Sequence, residues 1–234
     1  YTTVGFPDTN GDGKADKFVQ SASGYTVAFV MDGLTVLSSG PISGTNVGAG
    51  YSTAGFPDVN GDGKADKVVE GANGYSVAFL LDGTNALLGA GPIAGTNIGN
   101  SFVTVGFPDI NGDGNDDKVI ESISTGRTVA YLLDGTGALL GAGSIAGTAI
   151  GSGWALAGFP DLDGDGKADK VISRASDGRN YGYLLDGLNA VLEVAAIPGT
   201  NVPAGYTTVA FPDLNGDGKA DKVIEHTGGF TVAY

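Results

Sequence analysis

The stretch Phe6-Pro-Asp8-Thr-Asn10-Gly-Asp12-Gly-Lys14-Ala-Asp16 decides how the chain is read, because close copies of it occur five times. The aspartate after Phe-Pro is Asp8, Asp58, Asp109, Asp161 and Asp213, so the unit recurs about every 50 residues, a period that marks a repeat architecture. Ahead of each copy stands an aromatic ring: Tyr1, Tyr51, Phe102, Trp154 and Tyr206. Behind the first four comes an Asp-Gly pair: Asp32-Gly33, Asp82-Gly83, Asp134-Gly135 and Asp186-Gly187. One repeat domain spans 1–234, with repeats at 1–50, 51–101, 102–153, 154–205 and a shorter 206–234.

Each repeat reads as short strands separated by turns. Tyr51 to Phe56 is strand-like and ends at proline; Lys67 to Glu70 is a second short strand. Tyr75 to Leu81 is a third, rich in β-branched and aromatic residues, and it runs into Asp82-Gly83, the sequence favoured in two-residue hairpins. Ala86-Leu-Leu88 opens a fourth strand, and no window carries a helical period. The expectation is an all-β chain: a β-propeller of four-stranded blades, each of about 50 residues, with four full repeats and a truncated fifth. A sandwich or β-solenoid is the alternative. The small residues Gly5, Gly55, Gly106, Gly158 and Ala210 fit first strands crowded at a propeller axis. Phe230 to Tyr234 aligns with Tyr75 to Phe79, so the last repeat stops inside its third strand. Either the chain continues past Tyr234 or another chain supplies the missing strand. The start at Tyr1, without methionine or signal peptide, reads as a processed product or fragment.

The chemistry lies in the acidic loops. Side-chain oxygens stand at loop positions 1, 3, 5 and 9, with glycine at 6. These are Asp8, Asn10, Asp12 and Asp16; Asp58, Asn60, Asp62 and Asp66; Asp109, Asn111, Asp113 and Asp117; Asp161, Asp163, Asp165 and Asp169; Asp213, Asn215, Asp217 and Asp221. A hard cation such as calcium takes six to eight oxygens at about 2.3–2.6 Å, and a loop wrapped on itself turns alternate side chains inward. Position 7 contributes its backbone carbonyl, which leaves its side chain free to vary: Lys14, Lys64, Asn115, Lys167 and Lys219. Without a cation the clustered carboxylates repel one another. Position 12 holds Val19, Val69, Ile120, Ile172 or Ile224 inside a strand, where an EF-hand would place a glutamate, so the loops are not EF-hands. Dockerins are helical, and the calcium repeats of thrombospondin need cysteine, which is absent.

The Asp-x-Asn-x-Asp-Gly-x-x-Asp loop between strands, followed by Leu-Asp-Gly, resembles the VCBS/FG-GAP repeat family, which includes the propeller of integrin α subunits and certain fungal lectins. The words Phe-Gly and Gly-Ala-Pro of the integrin version do not occur. The resemblance covers the whole chain. It implies a calcium-binding β-propeller with up to five Ca2+, extracellular, used in adhesion or ligand recognition.

Twelve basic against 26 acidic residues give a net charge of −14, which argues against nucleic acid and anionic membrane surfaces as partners. All the lysines lie in the acidic loops or just behind them, as Lys17, Lys67, Lys118, Lys170 and Lys222, and are expected to be solvated counter-charges. The recurring aromatics are expected to pack in the core. Glu70, Glu121 and Glu225, with Gln20 and Ser173 in their place elsewhere, read as a solvent-facing strand position. His226 stands alone, and no hydrolase elbow, phosphate loop or dinucleotide fingerprint is present, so no enzyme is expected. The favoured function is an extracellular structural or adhesive element that associates with itself or with another protein through its last blade. The alternative is a soluble glycan-binding propeller with sites between blades, for which Arg127, Arg174 and Arg179 offer few polar groups.

Overall fold

The computed structural model describes residues 1–33, 35–42, 46–83, 86–93, 98–145, 150–188, 190–199, 201–211, 215 and 217–234. Among them every regular element is a strand, apart from one 3-10 turn at Gly99–Ser101. The first sheet is β1 (Thr2–Gly5), β2 (Lys17–Gln20), β3 (Thr26–Asp32) and β4 (Thr35–Pro41), paired in that order. The second is β5 (Tyr51–Gly55), β6 (Lys67–Gly71), β7 (Ser76–Leu81) and β8 (Leu87–Pro92). The third is β9 (Phe102–Gly106), β10 (Lys118–Ser122), β11 (Thr128–Leu133) and β12 (Leu139–Ser144). The fourth is β13 (Trp154–Gly158), β14 (Lys170–Arg174), β15 (Asn180–Leu185) and β16 (Val191–Ala196). The fifth holds β17 (Tyr206–Ala210), β18 (Val223–His226) and β19 (Thr231–Ala233). The fold is therefore all-β and of β-propeller class, one small sheet of sequential strands per sequence repeat.

In the first repeat Asp32 ends β3 and pairs with Thr35, so the Asp-Gly pair is not itself the two-residue connection. In the second, Asp82 lies in a longer loop in which its N–H bonds to the Ala86 carbonyl at 3.0 Å and its carboxylate accepts the Ala86 N–H at 3.1 Å. Asp134 with Ala138 and Asp186 with Ala190 repeat the backbone bond. The aspartate side chain stabilises a wider turn than its dipeptide suggests.

The chain divides into two compact units: Tyr1–Phe107 with Asp113–Lys118 and Tyr131–Gly141, and Pro108–Gly112 with Val119–Ala130 and Ala142–Tyr234. In the first, Phe18, Ala28, Ile42 and Leu81 form a buried cluster flanked by Val4 and Phe56. Val59, Val68, Ala78, Ile93 and Leu133 form another, flanked by Leu80 and Phe107. Each cluster draws on consecutive repeats, so a sheet buries its apolar face only against its neighbour. The Phe-Pro phenylalanine is the wedge. Phe56 meets Phe18 edge-on at 4.5 Å. A Cβ on Gly5 would lie 3.3 Å from Phe56, and one on Gly55 3.2 Å from Phe107. In the second unit a Cβ on Gly158 would come within 2.9 Å of Phe211. At these three positions the first strands need glycine because the next repeat's phenylalanine lies on it.

The lysines behind the loops are less solvated than expected: Lys17 is half-buried and the other four are buried. Lys67, Lys118 and Lys170 are completely buried, and each ammonium reaches back into the preceding repeat. Lys67 donates to Thr26 Oγ1 at 2.8 Å, Lys118 to Ser76 Oγ at 2.6 Å, and Lys170 to Thr128 Oγ1 at 3.2 Å. The glutamate position is likewise not simply solvent-facing. Glu70 Oε2 accepts from Lys118 at 2.8 Å, Ser76 at 2.9 Å and Thr104 at 2.6 Å. Gln20 takes the same place, donating to Thr26 at 3.1 Å and Thr53 at 2.6 Å. Leu156 stands where those threonines stand, and Glu121 Oε2 is buried with no hydrogen-bond partner; burial raises its pKa, and the charge of Lys170 only partly opposes that shift. A buried ammonium is tolerated only where it is hydrogen-bonded, and these polar bridges join consecutive sheets. Glu225 alone of this set is exposed.

Candidate metal centre

The acidic loops wrap around their own side chains as the spacing implies. In the first, Asp8 accepts the N–H groups of Gly11 and Gly13, each at 2.8 Å. Asn10 Oδ1 accepts the Asp12 N–H at 3.1 Å, and Asp12 the Lys14 N–H at 2.9 Å. The second loop repeats this with Asp58 and Gly63 at 2.7 Å, Asn60 and Asp62 at 3.1 Å, and Asp62 and Lys64 at 3.0 Å. The fourth does so with Asp161 and Gly166 at 2.9 Å, Asp163 and Asp165 at 3.1 Å, and Asp165 and Lys167 at 2.8 Å. Glycines at positions 4 and 6, such as Gly61 (φ 70°) and Gly63 (φ 79°), take the left-handed conformation this coil requires.

The aspartate at position 9 has a second task. Asp16, Asp66, Asp117 and Asp169 are buried. Asp66 accepts the Val59 N–H at 3.0 Å within its loop and the Leu81 N–H at 2.8 Å from β7. Asp16 does the same with Thr9 and Met31, and Asp169 with Leu162 and Leu185. Asp117 accepts from Leu133 at 2.8 Å. The register between third and fourth strands shifts at Val30/Met31, Leu80/Leu81 and Leu184/Leu185. A bulge thus coincides with the N–H that the loop carboxylate captures.

In the fourth loop the carboxylate oxygens of Asp161, Asp163 and Asp169 lie within 4.8 Å of one another. Asp165 is not part of that group; its carboxylate lies 3.8 Å from the Lys167 ammonium. Burial, with the neighbouring carboxylates, pushes Asp66 and Asp169 up to about 6, and burial raises Asp58. The donor set is all hard oxygen. Each ionised carboxylate keeps lone pairs beyond those given to N–H groups, so the residues fit a hard divalent cation. At position 7, Lys14 pairs with Asp32 at 2.8 Å, and Lys167 pairs with Asp186. Asn115 bonds instead to Asp113 at 2.9 Å. Of the third-loop residues, Asp113 and Asp117 belong to the first unit and Asp109 and Asn111 to the second. In the fifth loop Asp213 lies outside the described residues; Asn215 accepts the Asp217 N–H at 2.8 Å, Asp217 the Lys219 N–H at 2.9 Å, and Asp221 is half-buried.

The recurring aromatics are not in the core. Tyr1 and Tyr51 are exposed, and Phe102, Trp154 and Tyr206 are half-buried. Tyr51 and Phe102 line a cleft of about 450 Å³ between the second and third repeats. Tyr206 lines one of about 780 Å³ between the fourth and fifth, together with Arg174 and Asp177. Arg174 is ion-paired with Asp177 and lies 5.3 Å from the Trp154 ring centre. The pairing draws the Asp177 carboxyl down to about 2. Sequence reasoning named Arg174 but missed its pairing with Asp177 and its place beside Trp154, because Arg174 and Asp177 have no charged counterparts in the other repeats.

No curated protein matches the chain. Among solved structures it is similar to a chain of the Photorhabdus luminescens Tc holotoxin pore, at 16% identity and a TM-score of 0.50, over 98% of this chain and 13% of that one. A chain of the TcdB2–TccC3 crystal structure matches at 16% identity and a TM-score of 0.47, over 96% of this chain and 13% of that one. The Dos1 propeller matches at 12% identity and a TM-score of 0.43, over 94% and 54%. The chain thus spans only a small part of the toxin chains, and at such identity the likeness to the first is one of fold alone. The family of FG-GAP-like repeats matches residues 8–69 and 161–224, more than half of the sequence. Those segments contain the first, second, fourth and fifth acidic loops, and the chain belongs to the FG-GAP-like repeat family.

Proposed function

We propose that the chain is a calcium-stabilised propeller module of four full repeats and a shortened fifth, an extracellular structural or adhesive element and not an enzyme. The observation that carries this is the convergence of Asp161, Asp163 and Asp169 in a loop whose frame recurs along the chain. Calcium would be held by the side chains at positions 1, 3, 5 and 9 and the carbonyl at position 7. The chemistry it supplies is neutralisation of crowded carboxylates. Contact with other copies is supported by exposed apolar pairs on the fourth strands, Val36-Leu37, Leu87-Leu88 and Leu139-Leu140. Calorimetric titration of calcium into the chain tests the reading. Uptake of several ions is expected, with one fewer in Asp163→Ala; no uptake at millimolar calcium would sink it.

A second reading, recognition of neutral saccharides in the clefts between repeats, is favoured by the placement of Tyr51, Phe102 and Tyr206 at those clefts. Aromatic rings at a cleft edge present an apolar face beside polar groups, as sugar rings require. Binding on a glycan array that weakens in Tyr51→Ala is the expected outcome; an array without binding removes this reading.

A further inference from the structure

Position 8 of the acidic loops is Ala15, Ala65, Ala168 and Ala220, but in the third copy it is Asp116. At each junction the N–H at this position donates to the carbonyl of the first aspartate of the preceding loop. Ala65 bonds to Asp8 at 2.8 Å, Asp116 to Asp58 at 2.8 Å, Ala168 to Asp109 at 2.7 Å and Ala220 to Asp161 at 2.8 Å. Asp116 adds a bond no alanine can make: its Oδ2 accepts the Asp58 N–H at 2.8 Å. Both backbone polar groups of Asp58 are therefore held by one residue. The Asp58 carboxylate meanwhile accepts from Asp62 at 3.1 Å and Gly63 at 2.7 Å, facing the loop interior.

We propose that Asp116 is a positioning residue for the second acidic loop, fixing Asp58 from behind so that this loop binds calcium more tightly than it would with alanine there. The inference rests on the calcium reading above. Its physical basis is pre-organisation: an aspartate anchored at both its N–H and its C=O has less freedom to lose when its carboxylate takes a cation. Asp116 is half-buried and stands one residue before the clamp aspartate Asp117, so its own backbone is held in place by that buried neighbour.

The test is calcium titration of the full chain, Asp116→Ala and Asp116→Asn by calorimetry, with thermal unfolding of each in chelator. Asp116→Ala is expected to weaken one class of site about tenfold, the size of one hydrogen bond, and to leave the others unchanged. Asp116→Asn keeps an acceptor oxygen and is expected to stay within about twofold of the unsubstituted chain. Equal weakening in both variants would mean that Asp116 acts through its charge, and would overturn the proposal. Unchanged affinity in Asp116→Ala would overturn it too, as would a large loss of stability in chelator for that variant, which marks a merely structural role. If the unsubstituted chain takes up no calcium, the calcium reading and this inference fall together; uptake by the unsubstituted chain that Asp116→Ala leaves unchanged overturns this inference alone.

Discussion

Lys118 shows what a single residue does between repeats. Its ammonium is wholly buried and bonds to Ser76 Oγ, the Gly74 carbonyl and Glu70, a glutamate whose side chain is 17% exposed. Burial lowers the Lys118 pKa and the Glu70 contact opposes that shift. Removing the lysine alone strands Glu70 near Ser76 and Thr104, so Lys118→Ala is expected to cost about 3 kcal/mol in urea unfolding. The double variant Lys118→Met/Glu70→Leu is expected to recover most of this, because an apolar pair of similar volume removes both desolvation costs. A double variant no better than the single would contradict the pairing. None of this was legible in sequence. A lysine beside an acidic loop looks like a counter-charge, and its partner Ser76 lies 42 residues back. Only the repeat geometry brings the two together.

At the scale of elements, the loop and the bulged third strand form one device. The spacing of Asp58, Asn60, Asp62 and Asp66 was enough to read a loop coiled on its own side chains, and Asp58, Asn60 and Asp62 do accept N–H groups of that loop. The division of labour among them was not, since it depends on a strand N–H released fifteen residues away, that of Leu81. Two substitutions separate clamp from candidate ligand. In chelator, Asp66→Ala is expected to cost about 3 kcal/mol, because it leaves two N–H donors without a charged acceptor. Asp62→Ala, at an exposed position, is expected to cost less than about 1 kcal/mol there and to lose only the stability that calcium adds. Equal costs in chelator, read by denaturant unfolding, would refute the assignment. The hairpins failed differently: Asp82-Gly83 matched a two-residue turn, but the Asp82 side chain closes a wider loop through Ala86.

For the whole molecule, the period of the Phe-Pro-Asp stretch was sufficient to anticipate an all-β repeat fold, since a unit that buries its face only against a copy of itself must repeat its contacts. Phe56 against Phe18, with Gly5 beneath Phe56, realises that contact. The aromatics Tyr51 and Phe102 were misread as core because repetition alone does not distinguish a packing residue from one at a repeated cleft. Sixteen of the 26 acidic residues stand at loop positions 1, 3, 5 and 9, and a chain so built is expected to depend on a counter-ion for part of its stability. A site with a dissociation constant between about 10 μM and a few hundred μM contributes roughly 1–3 kcal/mol at millimolar calcium. Thermal unfolding of the full chain in millimolar calcium and again in excess chelator tests this most directly. The account predicts a midpoint higher by about 10 °C or more in calcium, with several ions acting together. Coincident unfolding curves in the two buffers would contradict it and leave the loops as acidic turns held by their own backbone N–H groups.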